Sequence, residues 1–219
     1  MKRLPMCGAL LALLMAPGMP LVAEEEPADL TLAEAVTKGK PILNFNYRYE
    51  NVQEDDRFDK PAHASTLRTA LGYRSLAWKG LSFLVEAENV TVIGNDLYNN
   101  AGFGSLNNGV TDRPVVADPA LTEINQAYLQ WQNKDNKLQL GREEIILDDA
   151  RFVGNVGWRQ NHQSFDAFTF NNTSLERIDV FYGYLSKVNR ITGEVADMSS
   201  HLLNVGFKLG NVGTLTPYA

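Results

Sequence analysis

The chain has 219 residues, 20 basic against 26 acidic side chains, a net charge of −6 and one cysteine, Cys7. An acidic balance with no basic cluster excludes nucleic acid as a partner. With Cys7 inside an N-terminal apolar run, the remainder of the chain lacks disulfides, thiol catalysis and cysteine metal sites.

The first element in the chain reads as an export signal over residues 1–23. Lys2 and Arg3 precede an apolar run from Met6 to Ala16, Pro17-Gly18 breaks it, and Leu21-Val22-Ala23 offers a cleavage site before Glu24-Glu25-Glu26. The run is too short to cross a bilayer as a helix, and no later stretch is long and apolar enough. Residues 24–40 read as a short periplasmic segment with a helix in Thr31-Leu32-Ala33-Glu34-Ala35-Val36-Thr37-Lys38-Gly39, where Leu32, Ala35 and Val36 share a face and Gly39 suits a stop.

From residue 41 the pattern changes to period two. In Leu43-Asn44-Phe45-Asn46-Tyr47-Arg48-Tyr49-Glu50 the apolar side chains share one face of a strand and the polar ones the other. Similar segments follow at 65–78, 81–93, 123–132, 137–147, 164–171, 177–188 and 201–209, after a first at 42–52, and a ninth begins at Thr214. The outward sets include Leu67, Thr69, Leu71 and Tyr73; Ala127, Leu129 and Trp131; Ile178, Val180, Tyr182 and Tyr184; and Leu203, Val205, Phe207 and Leu209. The connections alternate long and short, with long segments at 53–64, 94–122, 148–163 and 189–200. That order follows from an up-and-down barrel with short periplasmic turns and longer external loops. Trp78 and Trp131 both fall at short-turn ends, where an aromatic girdle meets the membrane interface. The fold expected is therefore all-β: an antiparallel up-and-down transmembrane β-barrel in the bacterial outer membrane. Residues 41–219 are read as an eight- to nine-stranded portion of a larger, C-terminally truncated barrel, because an open sheet edge in lipid leaves backbone groups unpaired.

Several stretches resemble the alginate export family of outer-membrane porins. They are Thr31-Leu32-Ala33-Glu34-Ala35, Tyr47-Arg48-Tyr49-Glu50, Ser65-Thr66-Leu67-Arg68-Thr69-Ala70-Leu71-Gly72-Tyr73, Val116-Ala117-Asp118-Pro119, Glu123-Ile124-Asn125-Gln126-Ala127-Tyr128-Leu129 and Gly141-Arg142-Glu143. The longest is Asp149-Ala150-Arg151-Phe152-Val153-Gly154-Asn155-Val156-Gly157-Trp158-Arg159-Gln160-Asn161, followed by Phe165-Asp166-Ala167-Phe168. The resemblance implies a single-chain barrel about twice this length that passes an anionic polysaccharide or oligosaccharide outward, in contact with outer-membrane lipid and with periplasmic export partners. Asn46 stands where a second arginine beside Arg48 would be expected.

The residues expected to line the pore and bind such a solute are Arg48, Arg68, Arg74 and Lys208 by face parity. Arg142, Arg151 and Arg159 join them around the long connection after the fifth strand, with Asp166 as an acidic lumen group. Rings of arginine or lysine select anions, and arginine pairs bidentately with carboxylates. Parity alone puts Arg142 on the lipid face with Leu138 and Leu140, and a bulge after Gly141 would be needed to turn it inward. The alternative for each arginine is a wall-stiffening ion pair with Glu50, Glu86, Glu88 or Asp166. No catalytic residue, metal or cofactor is expected. The acidic pairs lack calcium-loop spacing, and His63, His162 and His201 are scattered. Two other functions remain open at this point: a diffusion porin for small solutes such as organic acids, and a barrel hydrolase built on His162 near Asp166.

Overall fold

A computed structural model describes residues 30–217, so the export signal lies outside the described residues. The helix α1, Leu32–Thr37, begins at a capping box in which the Thr31 hydroxyl accepts from the Glu34 amide and the Glu34 carboxylate accepts from the Thr31 amide. The hydrogen bond from the Lys38 side chain, then those from Thr31, hold the Glu34 carboxyl down at about 2. Tyr73 secures the helix to the sheet, donating to the Val36 carbonyl at 2.5 Å and accepting from the Gly39 amide at 2.6 Å.

Nine strands follow: β1 Lys40–Val52, β2 Ala62–Arg74, β3 Leu81–Val92, β4 Leu121–Gln132, β5 Asn136–Glu143, β6 Ser164–Leu175, β7 Ile178–Asn189, β8 Val195–Lys208 and β9 Thr214–Leu215. Each pairs antiparallel with its neighbour in chain order, giving one sheet from β1 to β9 whose two end strands do not pair with each other. This is the up-and-down arrangement expected from the alternating loops. The alternation of burial along β2 is equally clear. Ala62, Ala64, Thr66, Arg68 and Ala70 are buried, while Leu71, next to Ala70, is 62% exposed. Leu43, Leu129, Leu140 and Leu203 face outward in the same way. The sheet thus has an apolar outer face and an inner face on which its loops fold.

Several boundaries differ from the expectation, among them the end of β6 at Leu175 rather than 171, and three of the differences bear on the helix and the loops. β2 stops at Arg74 rather than 78 because Leu76 turns away to donate to the Ala35 carbonyl of α1 at 3.0 Å. β5 stops at Glu143 rather than 147, since Ile145 and Leu147 turn inward. Ile145 is buried with Phe165, Ala167, Leu185 and Val188, and Leu147 and Val153 pack against that cluster. β8 starts at Val195 rather than 201, which reduces the fourth long loop to residues 190–194, closed by the Arg190 amide on the Glu194 carbonyl at 2.9 Å. After Val195 its next outward residues, Asp197 and Ser199, are polar, so alternation of hydrophobicity could not reveal this stretch.

The tightest turn, Trp78-Lys79-Gly80-Leu81, has φ of +50° at Lys79 and +82° at Gly80, the type I′ geometry that matches strand twist. Trp131 lies opposite Leu81, so Trp78 and Trp131 share one end of the sheet. A second glycine controls strand spacing. Gly141 in β5 has φ +136°, and a Cβ there would meet the Ala127 carbonyl oxygen at 2.3 Å. Gly141→Ala is expected to force β4 and β5 apart and cost about 2–3 kcal/mol. Urea unfolding of the full-length protein in vesicles measures it, and a change within about 0.5 kcal/mol would show the strands can yield.

Candidate functional site

The inner face is covered by the 144–163 segment, which crosses the sheet and is fixed at both ends. Its apolar end is the Ile145, Leu147 and Val153 cluster on β6–β8. Its polar end reaches β1–β4. There the Gln160 side-chain amide donates to the Thr66 hydroxyl at 2.9 Å, the Thr66 carbonyl at 3.0 Å and the Asn46 carbonyl at 3.1 Å. The Gln160 backbone amide donates to Asp118 at 2.9 Å, and the Asn161 side-chain amide to the Pro119 carbonyl at 2.9 Å. Gln160 and Asn161 are fully buried, so this is a fixed seam.

Beneath the seam lies a charged network. Arg68 on β2 donates to Glu88 on β3 at 2.8 Å and lies 4.0 Å from Glu86. The His162 backbone amide donates to Glu88 at 3.0 Å. The His162 ring nitrogen Nδ1 is 3.0 Å from a Glu144 carboxylate oxygen and 3.4 Å from the Arg68 guanidinium. A carboxylate only accepts, so His162 carries the Nδ1 proton toward Glu144 and the arginine contact is not a hydrogen bond. Asn125 bridges Glu144 at 2.6 Å and Glu86 at 3.0 Å. It can do so because the β3–β4 register shifts between Glu86 and Ala87, leaving Asn125 as the extra residue of a bulge.

Burial pushes the Glu144 carboxyl up, but hydrogen bonds and charge from His162, with the amides of Asn125 and Asn155, outweigh it and hold the group below its ordinary value. A carboxyl depressed in the folded state adds stability at pH values above its unfolded pKa of about 4.3, and loses it as pH falls through the folded value. Limited proteolysis of the 144–163 segment is therefore expected to accelerate only below that range. In Glu144→Gln this acid step should shrink; a step unchanged by the substitution would place its origin elsewhere.

A third group lies nearer the strand tops. Arg48 pairs with Glu50 at 2.7 Å and donates to the Trp158 carbonyl. Arg159 reaches Glu50 at 3.3 Å and Asp118 at 3.5 Å. Both guanidiniums lie over the Trp158 indole, Arg159 at 3.9 Å and Arg48 at 5.0 Å from the ring centroid.

The expected pore-lining set is thus divided. Arg48, Arg68 and Arg159 lie on the inner face and are drawn together by the 144–163 segment, each matched by a carboxylate. Lys208 pairs with Asp179 at 2.7 Å. Arg151 is mostly exposed on the segment, 3.8 Å from Asp149. Arg74 donates to the Tyr128 hydroxyl at 3.3 Å and has no carboxylate within ion-pair distance among the described residues. Two expectations fail. Arg142 and Asp166 pair with each other at 2.7 Å, and their strands place them in register two residues beyond Leu140 and Phe168, on the outer face. Gly141 does turn the backbone, yet the parity that puts Arg142 beside Leu138 and Leu140 holds. His162 and Asp166 consequently sit on opposite faces and form no catalytic pair. No pattern in the sequence joins Glu88, Asp118, Asn125, Glu144 and Gln160 into a network; register and the folded-in segment bring them together. Among the described residues no group of His, Cys, Asp and Glu could hold a metal ion.

No family model matches the sequence, and no curated protein does. Solved structures do share the fold. Pseudomonas aeruginosa OccD3 (OpdP) is similar with a TM-score of 0.53 and 16% identity over 82% of this chain and 39% of that one. Acinetobacter baumannii OccAB1 follows at 0.55 and 12%, over 81% and 43%. A BenF-like porin from Pseudomonas fluorescens Pf-5 gives 0.51 and 11%, over 79% and 46%. The chain therefore spans less than half the length of these proteins, and its nine-stranded antiparallel sheet has the fold of part of a porin-type β-barrel.

Proposed function

We propose that this chain forms part of the wall of an outer-membrane channel for passive diffusion of small solutes, organic acids among them, and that the 144–163 segment narrows the passage. The observation that carries this reading is the segment itself, held across the inner face by Gln160, His162 and Arg159 at one end and Ile145 and Val153 at the other. Likeness of fold to OccD3, OccAB1 and a BenF-like porin supports the channel class. Selection is electrostatic and needs no covalent chemistry. Passage of an anionic polysaccharide such as alginate, implied by the sequence resemblance, is the second reading. It is less favoured because the folded-in segment occupies the inner face and most of the basic residues are already neutralised.

Arg74 and Arg151 are the candidates whose charge is least cancelled. Planar-bilayer recordings of the full-length protein test the assignment. A Arg74→Gln/Arg151→Gln variant should lose most of its preference for anions over cations, while Arg48→Gln should change it less. Absence of channels, or selectivity indifferent to Arg74 and Arg151, would remove the proposal. Current block by alginate oligomers but not by small organic acids would favour the second reading.

A further inference from the structure

The 144–163 segment carries a hollow built in a way that narrowing a passage does not require. Its volume is about 560 Å³, and Asp149, Arg151, Phe152, Trp158 and Gln163 line it. That size lies within the range of small-molecule sites. Phe152 is 68% exposed and Trp158 62%. Exposed aromatics in the strands, such as Phe45, Tyr47 and Tyr49, face outward, where lipid covers them. Phe152 and Trp158 lie instead on the segment that crosses the inner, hydrated face, so their apolar area is there for a solute to bury. The Arg48 and Arg159 guanidiniums over the Trp158 ring hold it in position.

Two opposite charges stand beside the rings. Asp149 and Arg151 are 3.8 Å apart and both mostly exposed, a pair of the kind that contributes little by itself. The pairs made by Arg48, Arg68 and Arg159 are shorter and more buried. Asp149 is nevertheless fixed, because its carboxylate accepts from the Arg151 backbone amide at 3.2 Å. The Gln163 side-chain amide stiffens the wall by donating to the Gly154 carbonyl at 3.1 Å. Backbone strain marks the same place. Ala150 at φ +59° and Val156 at φ +54° both line the hollow, and strained residues of this kind cluster at ligand clamps.

We propose that the hollow is a binding site for an aromatic amino acid, with Arg151 taking its carboxylate, Asp149 its ammonium group, and Phe152 and Trp158 its ring. A plain organic acid offers Asp149 no cation, and an aliphatic amino acid leaves the two rings in water. The inference rests on the reading of this chain as a channel wall and names a solute class for it.

Titration calorimetry of the full-length protein in detergent tests it without relying on conductance, using L-phenylalanine, L-alanine and 3-phenylpropionate as probes. L-phenylalanine should bind about tenfold more tightly than L-alanine, because of the ring. It should bind about threefold more tightly than 3-phenylpropionate, because of the ammonium group. Phe152→Ala should remove the first difference and Asp149→Asn the second, with folding checked by heat-modifiable gel migration. Equal affinity for L-phenylalanine and 3-phenylpropionate would make the hollow a plain acid site. Equal affinity for L-phenylalanine and L-alanine would leave the rings without a role. Either result overturns the proposal, as does absence of binding, or binding that neither substitution changes. Planar-bilayer conductance is measured separately: a protein that binds L-phenylalanine in this way but opens no channel keeps the site and loses the channel reading.

Discussion

Replacing Arg68 with alanine is expected to cost about 3–5 kcal/mol of folding stability, the largest effect of any single substitution in the chain. Arg68 is 6% exposed and Glu88 1%, so the guanidinium cannot be replaced by water at the carboxylate it neutralises. Glu88 would be left buried with the His162 amide as its remaining partner, and Glu86 would lose its nearby cation. The cost arises from the uncompensated charge rather than from the worth of the pair itself. Arg68→Met combined with Glu88→Leu removes both charges and should therefore recover most of the loss. Urea titration of the full-length protein refolded into vesicles measures both variants. Equal destabilisation by the single and double substitutions would mean that packing, not charge, holds this part of the inner face.

The second large effect is on conductance. Exchanging residues 149–159 for a short Gly-Ser linker removes Val153, Trp158 and Arg159 from the inner face but keeps Ile145, Leu147, Gln160 and His162 at the anchors. Single-channel conductance should rise severalfold, by an amount set by the cross-section the segment occupies, and preference between solutes should fall with it. Glu50 and Asp118 would lose Arg159, so the widened passage should also become less favourable to anions. An unchanged conductance would place the narrowest point elsewhere along the barrel. The backbone of the exchanged stretch is itself strained: Ala150 and Val156 both hold positive φ, and for a β-branched residue such as Val156 that conformation is costly. Removing it should release that strain, so the linker variant should lose less stability than its lost contacts suggest.

Much of the fold could be read from the residues because its determinants are local. The alternation in Leu43-Asn44-Phe45-Asn46-Tyr47-Arg48-Tyr49 fixes which side chains share a face whatever the strand pairs with, and β1 places Leu43, Phe45, Tyr47 and Tyr49 outward as that pattern requires. The Lys79-Gly80 turn and the alternation of loop lengths fix the order of pairing, because a short turn leaves the next strand no neighbour but the previous one. The same parity correctly put Arg142 with Leu138 and Leu140.

The site was much less legible. Which carboxylate each arginine meets depends on contacts between residues far apart in the chain, such as Gln160 with Thr66 and Arg159 with Glu50. Period two says that a side chain points inward; it carries no information about what a distant loop brings to meet it. Bulges add to this, since the single extra residue at Asn125 redirects a side chain without any mark in the hydrophobic pattern. Strands, faces and pairing order are legible in the residues because local sterics and hydrophobic alternation set them. That the inner-face arginines are mostly spent on ion pairs, that Asp166 meets Arg142 on the outer face, and that the 144–163 segment closes over the inner face emerges only in three dimensions. Those outcomes follow from register and long-range packing, where the energy lies between residues that the chain itself keeps far apart.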